Sequence, residues 1–202
     1  MTTTDNSRTR LLQAGKMLFA RMGYENTPTS AVAREAGTSE SQLVRYFGSK
    51  VGLLEAIFDE AWRPLNARVH DLLADARSGR AAVGGVLTAV LSAFDRDEQL
   101  AAIFLFEGRR IRGGESTVKL SSGFLEFNDI IVRLVKRGQK DGSFARGFDT
   151  SALSAALLGA AEAMVRERLL ARRAGTSRTF SDRQVQKIFD AMLDGFAPVQ
   201  QG

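Results

Sequence analysis

Eight residues between positions 27 and 50 carry side chains suited to a polyanion: Thr27, Thr29, Ser39, Ser41, Gln42, Arg45, Tyr46 and Lys50. The four hydroxyl residues lie near predicted helix starts, where amides and hydroxyls bind phosphate readily. The same positions suit plain helix capping, which for Ser39 is the larger role. Arg45 has the donor geometry for guanine and Gln42 for adenine, although a capping role would occupy Gln42 and an exposed arginine also serves phosphate alone. Tyr46 can bond a phosphate through its hydroxyl. Lys50 brings a positive charge to the start of the next predicted helix. Glu40 reads as a first-turn residue that complements the helix dipole.

These side chains are useful only if short helices hold them on one face. Gly23 closes a stripe made of Leu11, Leu12, Ala14, Leu18, Phe19 and Met22. Thr27-Pro28 then predicts an N-cap followed by proline at the first helical position. A short helix is predicted from Thr29 to Ala36, ending at Gly37, which can take the left-handed turn conformation. Ser39 and Gln42 are spaced as a capping box, and Leu43, Tyr46 and Phe47 follow on the next helix. Two short helices joined by a tight turn are the grammar of a helix-turn-helix. Ala33 is small where they cross, and Leu43 plugs the second into the core. Val32, Leu43 and Phe47 are assigned to packing.

With its flanks, this segment resembles the TetR family of bacterial transcriptional regulators. The likeness covers roughly residues 7 to 57. It rests on Leu18-Phe19, Gly23-Tyr24, Thr27, Val32-Ala33, Ala36-Gly37, Ser39, Leu43, Phe47, Ser49-Lys50 and Leu53-Leu54. The resemblance implies a three-helix head that binds double-stranded operator DNA. It further implies a helical body that forms a homodimer and binds a small-molecule effector, here unknown. One position departs from the family pattern: Val44 stands where an aromatic residue, mostly tyrosine, usually follows the leucine. An aliphatic side chain donates no hydrogen bond to phosphate, so that contact is not carried over.

The rest of the chain also reads as helix. Apolar residues recur at helical spacing, β-branched runs are scarce, and the 202 residues contain three prolines. Ser49 is expected to cap a helix that continues past Pro64 to about Ala76. A glycine-rich link is expected from Ser78 to Gly85, followed by a stripe starting at Val86, Val90 and Phe94. Another stripe, Leu100, Ile103, Phe104, Glu107 and Ile111, is stopped by Gly113-Gly114. A long one, from Leu120 to Leu134, ends near Asp141-Gly142. Ser181 and Gln184 form a second capping box before the last helix. The expectation is an all-α fold of about nine helices, with a head over 1–50 (helix-turn-helix about 28–47), a connecting helix from about 50 and a body over 51–202.

Charge agrees with an anionic partner at the N-terminal end. Residues 1–50 hold seven Lys or Arg against four Asp or Glu, while the other 152 hold 21 against 19. Cysteine is absent, which excludes disulfides and thiolate zinc sites. The polar start of the chain is not a secretory signal. The longest apolar run, about 14 residues from Ala152 to Val165, is too short to cross a bilayer of roughly 30 Å. A cytoplasmic protein without membrane contact, cofactor or metal is expected.

Catalytic readings find little support. A carboxylate-bridged metal bundle needs Glu-x-x-His pairs, and the single histidine, His70, is preceded three residues earlier by Ala67. No glycine-rich phosphate loop occurs. In the body, Glu107 and Glu162 interrupt apolar stripes, and each is either half of a buried ion pair or part of an effector pocket with Phe104, Phe124 and Phe127. The Ala/Gly/Ser-rich helix around Leu157, Ala160, Ala161 and Met164 and the last helix, with Ile188, Phe189 and Met192, are expected to form a two-fold dimer seam. The alternative to a DNA-binding regulator is a helix-turn-helix protein that acts through protein contacts.

Overall fold

A computed structural model describes residues 3–107, 122–176 and 180–198; the side chains of 3–5, 72–75, 106 and 107 are not among those described. Glu107's side chain therefore lies outside the described residues, as do Ile111, Gly113, Gly114 and Leu120. Nine helices and no strand are present among the described residues: α1 (Thr3–Met22), α2 (Thr29–Glu35), α3 (Glu40–Phe47), α4 (Lys50–Asp75), α5 (Gly79–Arg96), α6 (Glu98–Glu107), α7 (Ser122–Asp141), α8 (Thr150–Arg173) and α9 (Asp182–Gly195). They fall into two compact units, one of Met1–Arg63 with Asp97–Phe124, the other of Pro64–Arg96 with Leu125–Gly202.

The first unit holds the helix-turn-helix, and its core is built from the predicted stripe. Leu11, Leu18 and Phe19 of α1, Val32 and Ala33 of α2, Leu43 of α3 and Leu53 and Leu54 of α4 are all buried. Two ion pairs brace it from outside, Arg8 with Glu60 at 3.2 Å and Lys16 with Asp97. Asp97 also accepts the Leu100 amide at 3.0 Å and so caps α6. Helix α4 begins as expected, with Ser49 Oγ accepting from the Gly52 amide at 3.0 Å, and it continues through Pro64. At Pro64 the helix forgoes one backbone hydrogen bond.

The second unit packs α5, α7, α8 and α9 around Val83, Val86, Leu87, Ile130, Ile131, Leu134, Leu157 and Phe189. The predicted glycine-rich link is corrected here: from Gly79 onward it is the first half of α5. Glycine is a poor helix former, but this helix buries a face, and tertiary packing overrides propensity. Gly79 is needed for contact. A Cβ on it would fall 2.2 Å from the backbone nitrogen of Gly138 on α7.

Charges tie these helices together. Arg168 of α8 is buried and pairs with Asp95 of α5 and, at 2.6 Å, with Asp182 of α9; Arg172 also pairs with Asp95. The Ser181–Gln184 capping box is formed in both directions. At the start of α5 the Gly79 amide donates to Asp141 at 2.7 Å, and the Ser143 amide donates to the same carboxylate at 2.9 Å.

Burial alone would raise the pKa of Asp141. The hydrogen bonds from the Ser143 side chain and from the Gly79 and Ser143 amides, with the charge of Arg137, outweigh burial and hold it below the usual carboxylate value. A depressed folded-state pKa stabilises the fold above the unfolded value, and the gain is lost as pH falls through the folded one. Thermal melts below about pH 4 should therefore lose stability partly through Asp141. Asp141→Asn should flatten that acid limb while lowering Tm at neutral pH. An unchanged acid limb in the variant would show that this carboxylate has no such role.

Candidate nucleic-acid interface

The turn into α3 is built locally. Gly37 adopts φ +60, and the Thr38 amide closes back onto the Ala33 carbonyl at 2.9 Å. A residue with a Cβ is strained in that region. Ser39 is the N-cap of α3, its Oγ accepting from the Gln42 amide at 3.3 Å. Leu43 is 0% exposed, which fixes the rotation of the helix. With Leu43 inward, Glu40, Ser41, Val44 and Arg45 face solvent, and Gln42, Tyr46 and Phe47 are half-buried.

The eight predicted contact residues fare differently. Arg45 is exposed and has no hydrogen-bond or ion-pair partner among the described residues. Ser41 is exposed, with its Oγ 2.8 Å from that of Ser39. Tyr46 stands edge-on to Phe47, with ring centres 6.2 Å apart. Lys50 is folded back on the turn after α1: its Nζ donates to the Glu25 carbonyl at 3.3 Å and sits 4.3 Å from the centre of the Tyr24 ring. Thr29 Oγ1 donates to Glu40 at 2.6 Å, which links the first turns of α2 and α3 and uses its only donor.

Two expectations are corrected. Thr27 is fully buried, and its hydroxyl bonds the Gly23 carbonyl at 2.8 Å and that of Leu18 at 3.4 Å. It locks the end of α1 and faces neither solvent nor a phosphate. The N-cap of α2 is Pro28, with no side-chain cap bond. The second correction concerns Gln42. Its side chain does not return the Ser39 bond; Oε1 is enclosed and has no partner among the described residues, so the box is half-formed.

Val44 is 55% exposed, so it does not pack within this chain, and it presents an aliphatic surface beside Arg45. Arg10 is a residue the sequence reading missed. A Cβ built on Gly37 would lie 3.8 Å from Arg10 Nη1, which places that guanidinium over the turn, and Arg10 also donates to Ser7 Oγ at 3.3 Å. In the sequence it registers only as part of the N-terminal charge excess.

The body candidates divide. In the first unit Phe104 and Phe124 each pack on Trp62 with ring centres 5.6 Å apart, a ring that the sequence reading had left out of the pocket. In the second unit Phe127 is buried in the core, and Glu162 lies 3.7 Å from Arg166 on the same helix. Leu157, Ala161 and Phe189 are corrected as interface residues: each is buried within its own chain and fills the core of the second unit. Ile188 is exposed, and Ala160, Met164 and Met192 are half-buried. No group of three or more His, Cys, Asp or Glu that could hold a metal is found among the described residues. None of the described helices is long and apolar enough to cross a membrane.

Comparison with known proteins agrees with this geometry. Residues 11–57 match the family model described as bacterial regulatory proteins, tetR family. Over these residues the chain is similar to the TetR family of bacterial regulators. It is 28% identical over 142 residues to the transcriptional repressor KstR2 of Rhodococcus jostii, covering 70% of each chain. It is also 28% identical over 163 residues to the nucleoid occlusion factor SlmA of Aliivibrio fischeri, covering 78% of this chain and 81% of that one. The regulator FadR of Bacillus subtilis, solved in complex with stearoyl-CoA, superposes with a TM-score of 0.80 at 16% identity, over 94% of this chain and 99% of that one.

Arg45 and Thr27 separate the exposed face of the head from its core. Arg45→Ala should leave Tm unchanged and weaken DNA binding by roughly 1–3 kcal/mol, the usual range for a specific base contact. Thr27→Val should lower stability by about 1–2 kcal/mol through lost buried hydrogen bonds, with affinity intact below its melting temperature. Gel-shift titrations paired with thermal melts read both. The reverse pattern would overturn the assignment.

Proposed function

We propose that the chain is a transcriptional regulator, acting as a homodimeric repressor that leaves a pseudo-palindromic operator when a small molecule binds its body. The observation that carries this is the α3 face. A capped helix, rotated by Leu43, presents Ser41, Val44 and Arg45 outward within a segment that matches the regulator family over residues 11–57. On this reading Arg45 reads a base edge in the major groove. Ser39, Ser41, Tyr46, Lys50 and Arg10 hold the phosphate backbone, with Gln42 beside them. Thr29 supports this face through Glu40. Two-fold symmetry would set two such helices one or more DNA turns apart.

The likeness to KstR2 supports a repressor, and the stearoyl-CoA complex of FadR supports a small-molecule effector. Phe104 and Phe124, half-buried against the buried Trp62, are the aromatic surface offered by the first unit, and Ile188 and Met192 lie on a face of α9 available to a partner copy. The likeness to SlmA favours a second reading, in which the same head binds DNA but the protein acts through protein contacts.

Selection of bound genomic fragments, followed by titration at several salt concentrations, tests the proposal. Selected fragments should carry inverted half-sites and bind far more tightly than random duplex. Lys50→Ala and Arg10→Ala should each reduce the slope of log affinity against log salt by about one, on every sequence alike. Equal affinity for selected and random duplex would overturn the regulator reading.

A further inference from the structure

The second unit carries an open groove of about 380 Å³ between α4, α5 and α9. Its long wall follows α5, where Arg80, Gly84, Thr88, Ser92 and Arg96 recur every four residues and wind about 40° around the axis at each step. That spacing places a guanidinium at each end of a row roughly 24 Å long. Gly84, Gly85 and their alanine neighbours keep the floor low, so a ligand can lie against the helix. Arg68 of α4 adds a third guanidinium, and Asp190 of α9 contributes a carboxylate.

The charges are not all spent. Arg80 is held by Asp194 at 2.5 Å and by the Asp190 carbonyl at 3.4 Å. Thr88 is engaged with the Gly84 carbonyl and Gln186, both at 3.0 Å, and Asp190 accepts from Gln186 at 3.1 Å. Arg68, Arg96 and Ser92 have no hydrogen-bond or ion-pair partner among the described residues. The groove thus offers two uncommitted guanidiniums and a hydroxyl against a single spare carboxylate. Its volume lies in the range of small-molecule sites.

We propose that this groove is a binding site for a small molecule that carries a phosphate or paired carboxylates. Arg68 and Arg96, assisted by Ser92, take the oxyanion, since guanidinium forks match phosphate and carboxylate. Asp190 takes a hydroxyl or amino group elsewhere on the ligand. This site does not depend on the regulator reading, because it lies wholly within the second unit and its binding can be measured without DNA.

The test uses the full chain, labelled with nitrogen-15, titrated separately with inorganic pyrophosphate and with citrate. Saturable binding of either probe is expected, with amide shifts concentrated at Gly84, Gly85 and Ser92; which probe binds tells phosphate from carboxylate chemistry. Arg68→Gln with Arg96→Gln should weaken it at least about tenfold, as loss of two charge-assisted contacts requires. Arg133→Gln, which removes an exposed guanidinium from α7, should not. Both arginines are exposed, so the double variant should melt like the parent. Failure of both probes to saturate, shifts confined to residues 39–50, or unchanged affinity in the double variant would overturn the proposal.

Discussion

The head depends on the burial of Leu43. An eight-residue helix such as α3 is far too short to be stable alone, so it exists only where its apolar side is covered. Full enclosure of Leu43 sets which side that is. The outward orientation of Ser41, Val44 and Arg45 follows from that rotation, because one residue of slip would turn each side chain by about 100°. The Gly37 turn and the Ser39 cap make the same choice locally, and the Thr29–Glu40 bond holds the two short helices in register. Local and tertiary preferences agree here, as expected of a well-specified segment.

Charge does different work in the two units. In the head the outward guanidinium of Arg45 is uncommitted, while Lys50 and Arg8 are tethered to an aromatic ring or a carboxylate. In the second unit most charge clamps helices: Arg168 and Arg172 converge on Asp95, and Arg80 is bound by Asp194. Buried pairs of this kind are a weak guide to net stability, because desolvation opposes their attraction. They do fix geometry, since a guanidinium enclosed like that of Arg168 tolerates few alternative packings. Among the described residues Arg68 and Arg96, which line the groove, take no part in this clamping.

Much of the architecture was legible because it is written in local rules. The stop at Gly23, the turn at Gly37, the caps at Ser39, Ser49 and Ser181 and the passage of α4 through Pro64 all follow from neighbouring residues. The misreadings share one cause. Thr27 looks like a cap but points its hydroxyl at the end of α1, nine residues back, which only the packed head reveals. The glycine-rich start of α5 looks like a linker because its reason, contact with Gly138, lies far along the chain. Leu157, Ala161 and Phe189 have the right types for an interface, but an apolar residue does not announce whether its own core or a partner covers it. The place of Arg10 over the turn was not legible because it depends on how α1 packs against the segment that leads into α3.

The proposed function requires that the exposed face of α3 enter a major groove. Guanine-N7 methylation interference on a selected genomic fragment tests it most directly, since N7 lies on the major-groove edge and accepts the arginine contact. The account predicts two clusters of interfering guanines, related by inversion and spaced by one helical turn or a multiple of it, each losing its strongest position in Arg45→Ala. Binding that is indifferent to N7 methylation, or interference unchanged in that variant, would contradict it.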